Sequence, residues 1–232
     1  MYSRRAFVMT TALSLAAASG TRAQDACAVF TPTRQKATSP EHALRMLQEG
    51  NERFVSGKAI NCDLRAQVRA TATGQAPFAA IVGCIDSRVP PELVFDQRLG
   101  SIFAARVAGN FVNTDIIGSL EYSCRVVGAR AIVVLGHSEC GAIKGAIDQV
   151  KLGNLTETLS HIEPAVAATR FAGKRTSKDK KLVQAVADTN AQLAVRMILS
   201  RSPILKEMAA KKEIVVAAAM HDVATGRVSF FT

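Results

Sequence analysis

Phe78-Ala79-Ala80-Ile81-Val82-Gly83-Cys84-Ile85-Asp86-Ser87-Arg88 runs from an almost unbroken apolar stretch straight into a cysteine, an acid and a base. Ala131-Ile132-Val133-Val134-Leu135-Gly136-His137-Ser138-Glu139-Cys140 repeats the design. Short apolar runs without alternation belong to strands covered on both faces, which means a parallel sheet between helices. Two more such runs follow, Ser101 to Val107 and Glu213 to Met220, with helical patterns between them. The chain therefore reads as α/β, a mainly parallel four-stranded central sheet flanked by helices. Thr225-Gly226-Arg227 reads as a hairpin tip that returns Val228-Ser229-Phe230-Phe231 as a C-terminal edge strand.

In open α/β sheets, functional groups gather at the carboxyl ends of the strands. Cys84 and His137 sit at two such ends, and Cys140 lies where a helix begins near Gly141. Two cysteines, a histidine and the nearby Asp86 form a donor set suited to tetrahedral zinc, with three N/S ligands and one position that can open to water. The remaining cysteines read differently. Cys124 lies on an amphipathic helical stretch and reads as core, while Cys27 and Cys62 could pair outside the cytoplasm, a pairing that the sequence alone leaves open.

The chain of 232 residues is 48% hydrophobic and 21% charged, with no low-complexity tract, and reads as one folded domain. Its formal charge of +10 invites a nucleic-acid partner. Three of those charges, however, are Arg4, Arg5 and Arg22, and the densest basic run, Lys174 to Lys181, has no interleaved aromatics for base stacking. A solvated loop is the better reading, with no nucleic acid as partner. Residues 1–26 read as a removed signal peptide: the Arg4-Arg5 pair precedes a short Ala-rich apolar stretch, as in twin-arginine export signals. The mature protein is then exported to the periplasm, with no stable membrane anchor. Residues 27–38 read as a polar tether, and residues 39–232 as the zinc domain. Ser39-Pro40-Glu41 opens a helix whose apolar stripe, Ala43, Leu44, Leu47 and Phe54, bends or breaks near Gly50-Asn51.

From about Ser39 onward, and most densely over Gly74 to Ile147, the chain resembles the β-class carbonic anhydrases. The resemblance rests on Cys84, Asp86, Ser87, Arg88, His137 and Cys140, with Arg106-Val107-Ala108-Gly109-Asn110 between. It implies Cys84, His137 and Cys140 as Zn2+ ligands, with water or, in a closed state, Asp86 as the fourth. It further implies carbonate dehydratase activity, in which hydroxide held on zinc converts CO2 to bicarbonate and a proton. Gln75 matches a family glutamine that donates to a substrate oxygen; Phe103, Val107 and Tyr122 match an apolar wall, and Gly141 offers a close-approach amide. Homodimers or homotetramers are implied, with active sites at the subunit boundary and N-terminal helices packing on a neighbouring subunit.

Asp86 and Arg88, two residues apart in a strand-end turn, can point the same way, so the guanidinium can hold the carboxylate ionised and orient the zinc water. Some family members hold inhibitory bicarbonate with a tryptophan where this chain has Ile81, and this chain contains no tryptophan. Ile85 is bulkier than the usual residue there, and would narrow the pocket or fill core. The same site could instead hydrolyse carbonyl sulfide or carbon disulfide, or serve as a non-catalytic zinc scaffold or bicarbonate sensor.

Overall fold

The computed structural model describes residues 27–231. The export signal expected over residues 1–26 lies outside them. Five strands form one mixed sheet: β1 (Ala79–Gly83), β2 (Ile102–Arg106), β3 (Ala131–His137), β4 (Val215–His221) and β5 (Val228–Phe230), in the order β2-β1-β3-β4-β5. The first four are mutually parallel. β5 pairs antiparallel with β4 across the turn containing Gly226, whose φ is +77°, so the C-terminal strand is a hydrogen-bonded member of the same sheet.

Strand alternation divides the core. Ala80, Val82, Ile132, Val134 and Ala218 face one cluster with Ile117 and Leu120 of helix α5 (Thr114–Glu121), Ile198 of α9 (Lys180–Arg201) and Leu205 of α10 (Pro203–Ala210). Ala79, Ile81, Ala131, Val133, Leu135 and Ala219 face the opposite cluster with Phe30, Phe78, Phe95, Ala43 and Leu47. Helices cover both faces, which is why the strands carry no polar side. α5 runs on into a π-helical turn, Tyr122–Val126, beneath which Cys124 is buried as expected for a core thiol.

Two features of the N-terminal region depart from the sequence reading. The segment read as a polar tether contains helix α1 (Pro32–Ala37), capped by Thr31. It is anchored by Phe30, whose ring centroid lies 5.1 Å from that of Phe78, and by buried Gln35, whose Nε2 donates to Pro77 O at 2.7 Å. Helix α2 (Pro40–Val55) is continuous through Gly50-Asn51. Gly50 is there for contact: a Cβ would lie 1.8 Å from Phe95 O. Asn51 is buried because it bridges elements, donating to Val94 O and Gly226 O and accepting from Val228 N. Within the apolar stripe, Ala43 and Leu47 are fully buried on this chain's own sheet, while Phe54 remains 37% exposed. Cys27 and Cys62 form a disulfide that ties this segment to the loop before α3 (Leu64–Thr71). Among the described residues, no helix is long and apolar enough to cross a membrane.

Candidate metal centre

β1 and β3 are paired so that Gly83 stands beside Leu135, which brings Cys84 and His137 out at the same rim. The chain then reverses within three residues. Glu139 takes a left-handed φ of +58°, unusual for a residue with a side chain, and is ion-paired to Lys144 at 2.5 Å. That reversal returns Cys140 as the N-cap of α6 (Gly141–Ile147). The donor atoms of Cys84, His137 and Cys140 all lie within 4.8 Å of one another, and all three residues are buried.

The donor set fits zinc on chemical grounds. His137 Nδ1 lies 2.9 Å from Ser138 O. A carbonyl only accepts, so Nδ1 carries the proton and Nε2 presents its lone pair. That buried Nε2 has no hydrogen-bond partner among the described residues. The two sulfurs are 4.0 Å apart. The Cys84 thiol is drawn down, foremost by the hydrogen bond shared with Cys140 and against burial, with further help from the Gly109 amide. Cys140 is pushed up, foremost by that same shared bond and then by burial. The two thiols thus share a proton, and a cation that takes its place would favour both thiolates, as in a thiolate metal site.

Asp86 stands beside this cluster. Arg88 grips it with Nε on Oδ1 at 2.9 Å and Nη2 on Oδ2 at 2.8 Å, and its backbone N–H adds a third bond at 3.0 Å. Asp86 Oδ2 is 3.9 Å from His137 Nε2. The Arg88 side chain, foremost, and its amide hold the carboxyl well below the usual carboxylate range. A depressed carboxyl contributes its stabilisation above its ordinary pKa and loses it only as pH falls, so Asp86 is a fixed acceptor throughout the neutral range.

Other groups were not legible as site residues. Arg106, at the end of β2, donates from Nε to Cys84 O at 2.8 Å and from Nη2 to Asp86 O at 2.7 Å, pinning the turn that carries ligand and acid. A basic residue closing an apolar strand was the available signal. Ser138 accepts from Val223 N and contacts Asp222 Oδ1 through its hydroxyl, and its amide donates to His221 O, which steadies the carbonyl behind His137. His221 pairs with His137 across β3 and β4, and burial lowers its pKa. Its buried ring nitrogens have no partner among the described residues.

The expected substrate residues do not all join the cluster. Val107 does come close, its amide donating to Gly83 O one residue before Cys84. Gly141 opens α6 beside Cys140, and a Cβ there would meet no atom within 4 Å. Phe103 and Tyr122, with ring centroids 6.3 Å apart, line a separate cleft of about 700 Å³ with Ile81 and Ser119. Gln75 lines another with Thr71 and Leu99. Neither cleft includes a residue of the cysteine–histidine cluster. Ile85 is 61% exposed, so it fills no core in this chain.

A family model described as Carbonic anhydrase matches residues 79–228. Carbonic anhydrase 2 of Mycobacterium tuberculosis is 34% identical over 192 residues, covering 82% of this chain and 92% of its own length. A Coccomyxa β-carbonic anhydrase solved in complex with acetazolamide aligns at a TM-score of 0.64 and 25% identity, over 81% of this chain and 86% of that one. One of two tetrameric β-carbonic anhydrases from Sordaria macrospora agrees in fold, with a TM-score of 0.60 at 24% identity over 72% of this chain and 90% of that one.

The thiols should separate by reactivity. In the metal-loaded protein near pH 8, iodoacetamide should label none of Cys84, Cys124 and Cys140; after chelation, Cys84 should react first, followed by mass spectrometry. Cys124, pushed up to about 12 by burial, should stay unlabelled in both. Its contribution to stability is complete below its ordinary pKa of 9.0 and is lost as pH climbs towards 12.

Proposed function

Because this chain belongs to the β-class carbonic anhydrases and catalyses zinc-dependent hydration of CO2, we propose a division of labour among its residues. The observation that carries it is the buried Cys84–His137–Cys140 triad, with the His137 Nε2 lone pair unpartnered beside two sulfurs. Held by those three residues, zinc supplies the Lewis acidity that makes water nucleophilic near neutral pH, a chemistry for which the three-histidine carbonic anhydrases are the reference case. Asp86 accepts a hydrogen bond from the attacking water and turns its lone pair towards the CO2 carbon. Arg88 keeps that carboxylate ionised and aimed, and Arg106 holds the turn that fixes its distance from the metal ligands. Asp86 belongs to the open form of the site in this reading, because both of its oxygens are engaged by Arg88.

Asp86→Asn keeps the shape and removes the anionic acceptor. Stopped-flow CO2 hydration should fall about 100-fold with one zinc per chain retained. A rate within twofold of the parent would remove Asp86 from the mechanism. Since the carboxyl ionises far below neutrality, any ionisation governing the parent rate between about pH 6.5 and 9 should persist in the variant.

We assign the working protein to a homodimer or homotetramer in which Gln75, Phe103 and Tyr122 serve a neighbouring copy's metal centre. Their separation from the cluster within one chain supports this, as does the tetrameric state of the Sordaria proteins. Subunits with Cys84→Ser, which lack the metal centre, would then complement subunits with Gln75→Ala and Tyr122→Ala. Random mixing should restore about a quarter of parental activity, because half the dimers carry one complete site of two. No recovery on mixing would place these residues at their own chain's centre or outside catalysis.

We place the mature enzyme in the periplasm, exported by a twin-arginine-type signal at Arg4-Arg5. The Cys27–Cys62 disulfide beside three unpaired cysteines supports this reading, since export of a folded chain lets the metal occupy Cys84 and Cys140 before the chain meets an oxidising compartment. Replacing Arg4 and Arg5 with lysine should leave the protein in the cytoplasmic fraction; unchanged export would exclude that route.

A further inference from the structure

Asn190 is out of place by composition. It sits in the middle of α9 with Val186, Ala187, Ala191 and Ala194 as buried neighbours on the same helix, and it is only 4% exposed. A buried amide at such a position destabilises the fold unless it is paired. Its side-chain N–H donates to Gly109 O at 2.8 Å. Gly109 in turn donates its own amide to Cys84 Sγ at 3.3 Å.

Gly109 is held tightly from every side. Its φ of +83° lies in the left-handed region, and a Cβ would come within 2.4 Å of Ile162 Cδ1 and 3.2 Å of Ala142 Cβ. Ile162 is fully buried, so the loop cannot rise away from it. The peptide before Gly109 carries the N–H that meets sulfur, and the peptide after it carries the carbonyl that Asn190 holds. With φ confined, anchoring the second peptide plane sets the direction of the first.

We propose that Asn190 is a positioning residue for the thiolate Cys84, acting through the Gly109 backbone. Resting on the zinc reading of the Cys84–His137–Cys140 cluster, it adds a controlling residue outside the family motif. An N–H directed at a metal thiolate withdraws charge from sulfur, favours the deprotonated ligand and moderates how much negative charge two thiolates pass to the metal. Asn190 thereby tunes the electronic character of the centre through the Gly109 backbone rather than by a bond of its own to sulfur.

The test uses the full-length mature protein loaded with cobalt(II) or cadmium-113 in place of zinc. One cobalt per chain with a sulfur-to-cobalt charge-transfer band in the parent establishes the metal reading independently; its absence would overturn that reading and this one together. Cadmium-113 NMR of the parent should then show scalar coupling to the Gly109 amide proton, and no coupling would overturn the sulfur bond alone. Asn190→Leu, similar in volume but without the donor, should weaken that coupling, shift the charge-transfer band and lower zinc affinity about tenfold in chelator competition. Asn190→Ser, too short to reach Gly109 O, is the second variant should the leucine form not fold. Ile198→Ala, fully buried on α9 but in the core cluster that contains neither ligand cysteine, should lower thermal stability and leave the band and the coupling unchanged. A band at the parental position and zinc affinity within twofold of the parent in either Asn190 variant would assign Asn190 to packing alone.

Discussion

Two sulfurs 4.0 Å apart and an imidazole nitrogen, all buried, make a metal cation the partner that would let both sulfurs ionise inside the fold. One thiolate is supported by a shared proton, and the second has no such support. The rest of the rim is organised around that demand. The parallel register of β1 and β3 delivers two ligands side by side, the left-handed Glu139 turns the chain back to present the third, and the first turn of α6 directs the amides of Ala142 and Ile143 towards Cys140 in the sense that favours its thiolate.

The acceptor proposed for the attacking water answers a second demand. Asp86 has to be anionic and close to the metal ligands without binding in their place. A single ion pair at a half-exposed site would be worth little and would leave the carboxylate free to swing. Here three bonds from Arg88 fix both oxygens, and Arg106 fixes the backbone on which Asp86 and Cys84 both sit. The distance between acid and ligand is therefore a property of one rigid turn spanned by two arginines.

Most of this centre could be read in the sequence because its ligands lie at strand ends or within one short turn of them, where apolar runs are unmistakable and the chain has few ways to turn. Cys84, Asp86, Arg88, His137 and Cys140 came from that logic, as did four strands and the returning fifth. What escaped depends on distant partners. Asn51 reads as a helix breaker beside a glycine, yet it is buried because Val94, Gly226 and Val228 supply its bonds, the last two 175 and 177 residues away. Helix α1 was hidden because its anchors, Phe30 on Phe78 and Gln35 on Pro77, carry no local periodicity. Arg106 was read only as part of an apolar run and of the segment that follows it, and His221 was not singled out, since their roles follow from register alone. The apolar wall was assigned by likeness to one centre, whereas the fold of a single chain sends Phe103 and Tyr122 to another cleft.

The five cysteines show how one chain can hold incompatible sulfur chemistry. Cys84 and Cys140 are close enough to interact and would be vulnerable to oxidation as free thiols, while Cys27 and Cys62 are joined in a disulfide. Position separates the two pairs. The disulfide links the N-terminal segment to the loop before α3, while the ligand thiols are 4% and 1% exposed at the carboxyl rim of the sheet. Cys124, buried beneath the π-helical turn with its thiol pushed up to about 12, takes part in neither chemistry. Metal bound at the rim would protect one pair by coordination and burial protects the fifth sulfur, so surroundings oxidising enough to close the first pair need not disturb the other three.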